Sequence, residues 1–208
     1  FLLLEAICLG MIVPSFVIKG DHRLRPLFVW SRSGAGGLQL FAAAASSSWP
    51  GLGLAWNQSA GVGLILVASA VVLNLLLATI TPSPLFSASH VVIAMVPSLV
   101  AAPSNSTLLL LALISAFGMT TSAGRCGPAR LVISFSFIGM GCWLHLNPDV
   151  SLLGMVSFVM ASIELIILHF LPPDGLHAHS RWRAQCIGLT WIGTALLVGI
   201  SPLPWLWP

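Results

Sequence analysis

Apolar positions in this chain fall in long unbroken runs, and polar positions gather in short breaks between them. A helix that crosses a bilayer needs about 20 apolar residues, with a usable range of roughly 17–25. Read against that length, the pattern predicts an all-α polytopic transmembrane helix bundle, with about eight spanning helices and short loops. The segments are Phe1–Ile18, Leu38–Trp56, Gly61–Thr81, Pro84–Ala102, Thr107–Gly124, Leu131–Leu146, Val150–Leu171 and Cys186–Ile200. Proline-rich breaks separate several of them, as at Thr81-Pro82-Ser83-Pro84 and Pro172-Pro173-Asp174-Gly175. Proline lacks an amide donor and disfavours helix in the residue before it, so these breaks are natural helix ends.

Basic residues sharpen this map. Lys19, Arg23, Arg25 and Arg32 lie between the first two segments, Arg125 and Arg130 between the fifth and sixth, and Arg181 and Arg183 between the last two. Eight crossings put all of them on one face of the bilayer, which the positive-inside rule assigns to the cytoplasm or its equivalent. If Pro84–Ala102, interrupted by Pro97, did not cross, the charges would split evenly and the bias would vanish. Parity therefore favours eight crossings over seven, although six would also preserve it.

Composition agrees with the pattern. Hydrophobic residues make up 57% of the 208 residues and charged residues 6%. A soluble domain carries about 25% charged residues, so eight Lys/Arg and five Asp/Glu are too few to cover one of this size. The net charge of +3 sits in scattered loops without a nucleic-acid motif, which argues for membrane orientation and against nucleic-acid binding. No polar stretch is long enough for a separate soluble domain. Residues 1–208 read as a single transmembrane domain, and the apolar opening at Phe1 points to the membrane part of a longer chain or complex.

Candidate chemistry is sparse. Charge inside a bilayer is costly, so an acidic residue within a span is a functional candidate by default. Glu164 and Glu5 are the two acidic residues within predicted helices, and both are candidates for substrate or proton binding. His169, five residues after Glu164, lies about 140° around an ideal helix and does not share its face. Arg23, Arg25, Arg181 and Arg183 are candidates for lipid headgroups or phosphate, because arginine forks fit phosphate geometry. His177-Ala178-His179 is a weak metal candidate. His90 and His145 are expected near segment ends, as satisfied interfacial histidines. Ser33-Gly34-Ala35-Gly36-Gly37 reads as a glycine-rich loop that lacks the Gly-Lys-Ser/Thr ending of a phosphate-binding loop. The run Ala42–Ser48 is small enough to let a neighbouring helix approach closely.

Cys8, Cys126, Cys142 and Cys186 show no ligand spacing and read as free thiols. The sequons at Asn57 and Asn105 lie in very short loops and are expected to be unmodified. No hydrolase, zinc-protease, nucleotide-binding or dinucleotide motif occurs, no lysine or arginine is expected within a helix, and no cofactor is implied. The expected partners are membrane lipids and other membrane subunits or an upstream soluble domain, at an endomembrane or plasma-membrane site. Function is then expected to be that of a membrane domain or subunit of a larger assembly, shaping a groove for lipid or lipid-linked substrate. The alternative is a small secondary transporter or channel with Glu164 on the solute path.

Overall fold

A computed structural model describes residues 2–17, 24–48, 56–57, 59–100 and 105–145. All regular structure among them is helical: α1 (Leu2–Val17), α2 (Arg25–Ser48), α3 (Ala60–Ile80), α4 (Pro84–Met95), α5 (Pro97–Val100), α6 (Asn105–Thr120), a 3-10 turn (Ser122–Arg125) and α7 (Gly127–His145). The last two predicted segments, Val150–Leu171 and Cys186–Ile200, lie outside the described residues. Among these helices, Gly61–Ile80 is the one long and apolar enough by length and composition to cross a membrane, while Leu2–Pro14, Pro84–Met95 and Thr107–Thr120 are shorter apolar stretches. At about 1.5 Å per residue, α3 is roughly 30 Å long.

Helix boundaries follow local chemistry. Ser59 precedes α3 in an extended conformation, held by a turn in which its amide donates to Asn57 Oδ1 (3.0 Å) and Asn57 Nδ2 donates to its carbonyl (2.9 Å). At the other end, the Thr81 amide and hydroxyl both bond back to the Leu77 carbonyl, at 3.1 and 2.6 Å. Pro84 opens α4 at a position where its missing amide costs nothing. Pro97 then divides α4 from α5. It cannot donate to the Ile93 carbonyl, which accepts from the Val96 amide instead (3.1 Å).

One predicted segment is displaced. The expected Leu38–Trp56 is realised as Arg25–Ser48, so the expected first loop is helical from Arg25 onward. Arg32 therefore lies within a helix, against expectation, about 10 Å from its start. Its guanidinium stacks 4.2 Å above the ring of Phe16, the penultimate residue of α1, so the charge reaches back along the helix toward the end where α2 begins.

Neighbouring helices alternate in direction. Cys8 lies against Ala35 and Met11 against Ser31, which makes α1 and α2 antiparallel. Asn74 bonds Gly36, and Ala78 accepts from Ser87, so α3 runs opposite to both α2 and α4. Trp30 meets Phe86 edge-on at 4.8 Å and Ser33 meets His90, so α2 and α4 run parallel. At their shared starting end, the α3–α4 and α6–α7 connections are tied together. Ser122 Oγ donates to the Thr81 carbonyl (2.8 Å), and Ser87 Oγ lies 2.9 Å from Thr121 Oγ1. Arg25 begins α2 at this end, and Arg125 and Arg130 lie in the second connection and the first turn of α7. We call it the arginine end.

Helix α4 is the core of the arrangement, packed against α2, α3, α6 and α7. Its Ser87, Ala88, His90, Val91, Ala94 and Met95 are buried. Small residues permit the close approach. A methyl group on Gly118 of α6 would lie 2.7 Å from Val91 and 3.2 Å from Ile133 of α7. Ala42 to Ser46 on α2 are buried, in keeping with the small-residue run read from the sequence.

Candidate functional site

The inside of the bundle is more polar than its outside. Asn74 and His90 have no exposed surface, and Ser87, Thr81, Thr107, Ser115, Thr121 and Ser134 are also buried. Outward positions carry Leu64, Ile65, Val72, Leu76 and Ile80 on α3, Leu109, Leu110, Leu113 and Phe117 on α6, and Val132, Phe135 and Trp143 on α7. Helices α3, α4 and α6 contain no Asp, Glu, Lys or Arg. The outward hydroxyls of Ser69, Thr79 and Thr120 donate to carbonyls of their own helices at 2.7–2.8 Å. They expose little hydrogen-bonding capacity.

The densest polar cluster joins α2, α3 and α4. Asn74 Nδ2 donates to the carbonyls of Gly36 and Ala70, both at 3.0 Å. Those two bonds fix which end of the amide carries oxygen, so Oδ1 is an acceptor facing His90 Nδ1 at 3.4 Å. Nδ1 then carries the imidazole proton and Nε2 is left as the acceptor. Ser33 Oγ lies 3.1 Å from Nε2 and donates to it. The chain of donors runs Ser33 to His90 to Asn74, and then to two backbone carbonyls. Gly36 makes room for it, since a methyl group there would overlap Asn74 Oδ1.

His90 is satisfied, as expected, but fully buried and not at a helix end: it stands six residues into α4, facing Ser33 and Asn74. The glycine-rich stretch departs from the loop expected for it. It is a helical packing face, because its missing side chains admit Asn74 and His90, and it forms no open loop.

Of the residues singled out from the sequence, Glu5 lies in the first turn of α1, half-buried. Arg25 opens α2 at the arginine end, so the α1–α2 hairpin holds these two apart. Glu164, Arg23, Arg181, Arg183, His177 and His179 lie outside the described residues. His145 ends α7, and Cys8 and Cys126 are free thiols. Among the described residues no three His, Cys, Asp or Glu side chains are grouped to hold a metal ion. Asn74 was not among the residues singled out from the sequence, and Ser33 entered only as the first residue of the glycine-rich stretch. Asn74 did carry a signal: it is the lone amide in the apolar stretch Gly61–Thr81, and an amide there must find a partner inside the bundle.

Comparison of the chain with protein families, characterised proteins and solved structures finds no match.

Proposed function

We propose that this chain is a multi-pass membrane domain of eight crossings, which forms a lipid-facing surface for lipid or lipid-linked substrates as the membrane part of a larger chain or assembly. The observation that carries the reading is the inverted distribution of polarity. Large aliphatic side chains face outward on α3, α6 and α7, while an amide, an imidazole and hydroxyls lie inside. Water would favour the reverse arrangement, and hydrocarbon favours this one.

Further features agree. The α1–α2 hairpin, the α3–α4 turn and the α6–α7 connection close at one end, which is the grouping that eight crossings require of the basic loops. Exposed tryptophans occur toward both ends, Trp30 on one side and Trp56 and Trp143 on the other. Their rings suit the two interfaces of a bilayer. The connections at 81–83 and 121–126 leave little soluble surface for chemistry in water.

Val72→Lys tests the reading. Val72 is 55% exposed near the middle of α3. Facing hydrocarbon, a lysine there costs about 2.5–3.5 kcal/mol on insertion scales. In water the same exchange stays within about 0.5 kcal/mol. A glycosylation-reporter insertion assay on α3 should show the larger penalty. Unchanged insertion, with chain that remains in solution without detergent, would refute the reading.

A further inference from the structure

Ser33, His90 and Asn74 stand in the relation of a nucleophile, a base and the group that orients the base. The hydroxyl is 3.1 Å from Nε2, inside the range over which a general base takes a proton. The 3.4 Å between Nδ1 and Asn74 Oδ1 is long for a hydrogen bond, and such contacts commonly tighten only when substrate binds. Asn74 is itself held by two backbone carbonyls, so the imidazole is presented in one tautomer with Nε2 toward the serine. An amide in the third position orients the ring without adding a charge, which a bilayer would penalise. A purely structural knot would have no need to be reachable. Here Ser33 is only half-buried, and Gly34 and Trp30 on the same side of α2 are exposed.

We propose that Ser33 is a nucleophile, activated by His90 as general base and positioned through Asn74, for acyl transfer from a carboxylic ester of a lipid. Depth suggests the substrate class. Ser33 is eight residues into α2 and His90 six into α4, so the pair lies about 9–12 Å beneath the arginine end. In a bilayer with a ~30 Å hydrocarbon core and a total thickness of ~40–45 Å, that depth is just below the boundary between headgroups and acyl chains. The lipid class rests on the membrane reading above, whereas the serine assignment does not.

In the first step Ser33 Oγ bonds to the ester carbonyl carbon as its proton passes to Nε2. The bond to the leaving oxygen then breaks, and Nε2 returns the proton to that oxygen, releasing an alcohol. In the second step water attacks the acyl-serine and gives a proton to Nε2. The bond to Oγ breaks, Ser33 regains a proton from Nε2, and a carboxylic acid leaves.

The test uses the purified full chain in detergent and a small, water-soluble fluorophosphonate, which loses fluoride as it phosphonylates an activated serine. Peptide mass mapping of the unaltered protein should place the adduct on Ser33, and heat-denatured protein should give none. Ser31→Ala should label normally, since the Ser31 hydroxyl bonds the Met11 carbonyl outside the cluster. His90→Gln should slow labelling about a hundredfold, the scale of a general base. No adduct at Ser33 in folded protein, or equal labelling in His90→Gln, overturns the proposal. A Ser33→Ala variant that melts lower, beside unaltered protein that never labels, would assign the cluster to packing alone. If Ser33 labels but esterified phospholipid in nanodiscs releases no fatty acid, the nucleophile stands and the lipid class falls.

Discussion

At the scale of single residues, the polar cluster depends as much on what Gly36 lacks as on what its neighbours bring. Gly36→Ala forces the Asn74 amide aside and strips its carbonyl acceptor, leaving polar atoms unpaired in an apolar interior. The expected loss is about 1–3 kcal/mol, read as a fall in the unfolding midpoint in detergent. Gly139 of α7 makes the opposite case, since a methyl group there meets nothing within 4 Å. Gly139→Ala removes only the flexibility glycine gives the unfolded chain and should stabilise the helix by about 0.5–1 kcal/mol. The two glycines are indistinguishable by residue type, and only the neighbours brought by the fold separate them. For the same reason the cluster was largely illegible in the sequence. Ser33, Asn74 and His90 share no local spacing, and their bonds are made across helices.

At the scale of elements, the ties between connections can be tested one at a time. Ser87→Ala removes a hydroxyl that bonds the Ala78 carbonyl at 2.8 Å and lies beside Thr121 Oγ1. Thr121 keeps its bond to the Gly118 carbonyl (2.7 Å), so the expected loss is only about 1 kcal/mol in a thermal melt. Helices with uniform hydrophobicity were well placed by sequence. The predicted Gly61–Thr81 is realised as Ala60–Ile80, and Phe1–Ile18 as Leu2–Val17. The displaced one, α2, starts thirteen residues before the predicted Leu38. Its first half mixes Arg32 with Gly34, Gly36 and Gly37, a composition that locally resembles a loop. Tertiary packing overrides it, because glycines weak as helix formers in isolation are those that admit α3 and α4 most closely.

At the scale of the whole molecule, the alternating helix directions make a sidedness prediction. In a background with Cys8, Cys126, Cys142 and Cys186 replaced by serine, a membrane-impermeant thiol reagent applied to oriented membranes should reach Ser83→Cys from one face and Ser59→Cys from the other, because the Thr81–Ser83 turn and Ser59 lie at opposite ends of α3. Reaction of both from the same face would sink the eight-crossing map. Alternation also has an electrical consequence. Among the described helices, α2, α4 and α7 begin at the arginine end while α1, α3 and α6 finish there, so positive and negative peptide termini meet in equal number. The backbone of these helices thus has almost no polarity of its own. On the proposed membrane reading, the chain's few basic side chains then set which way up it sits. Replacing Lys19, Arg23, Arg25, Arg32, Arg125, Arg130, Arg181 and Arg183 together by glutamine should yield a mixed population inserted in both senses, scored by the same thiol assay.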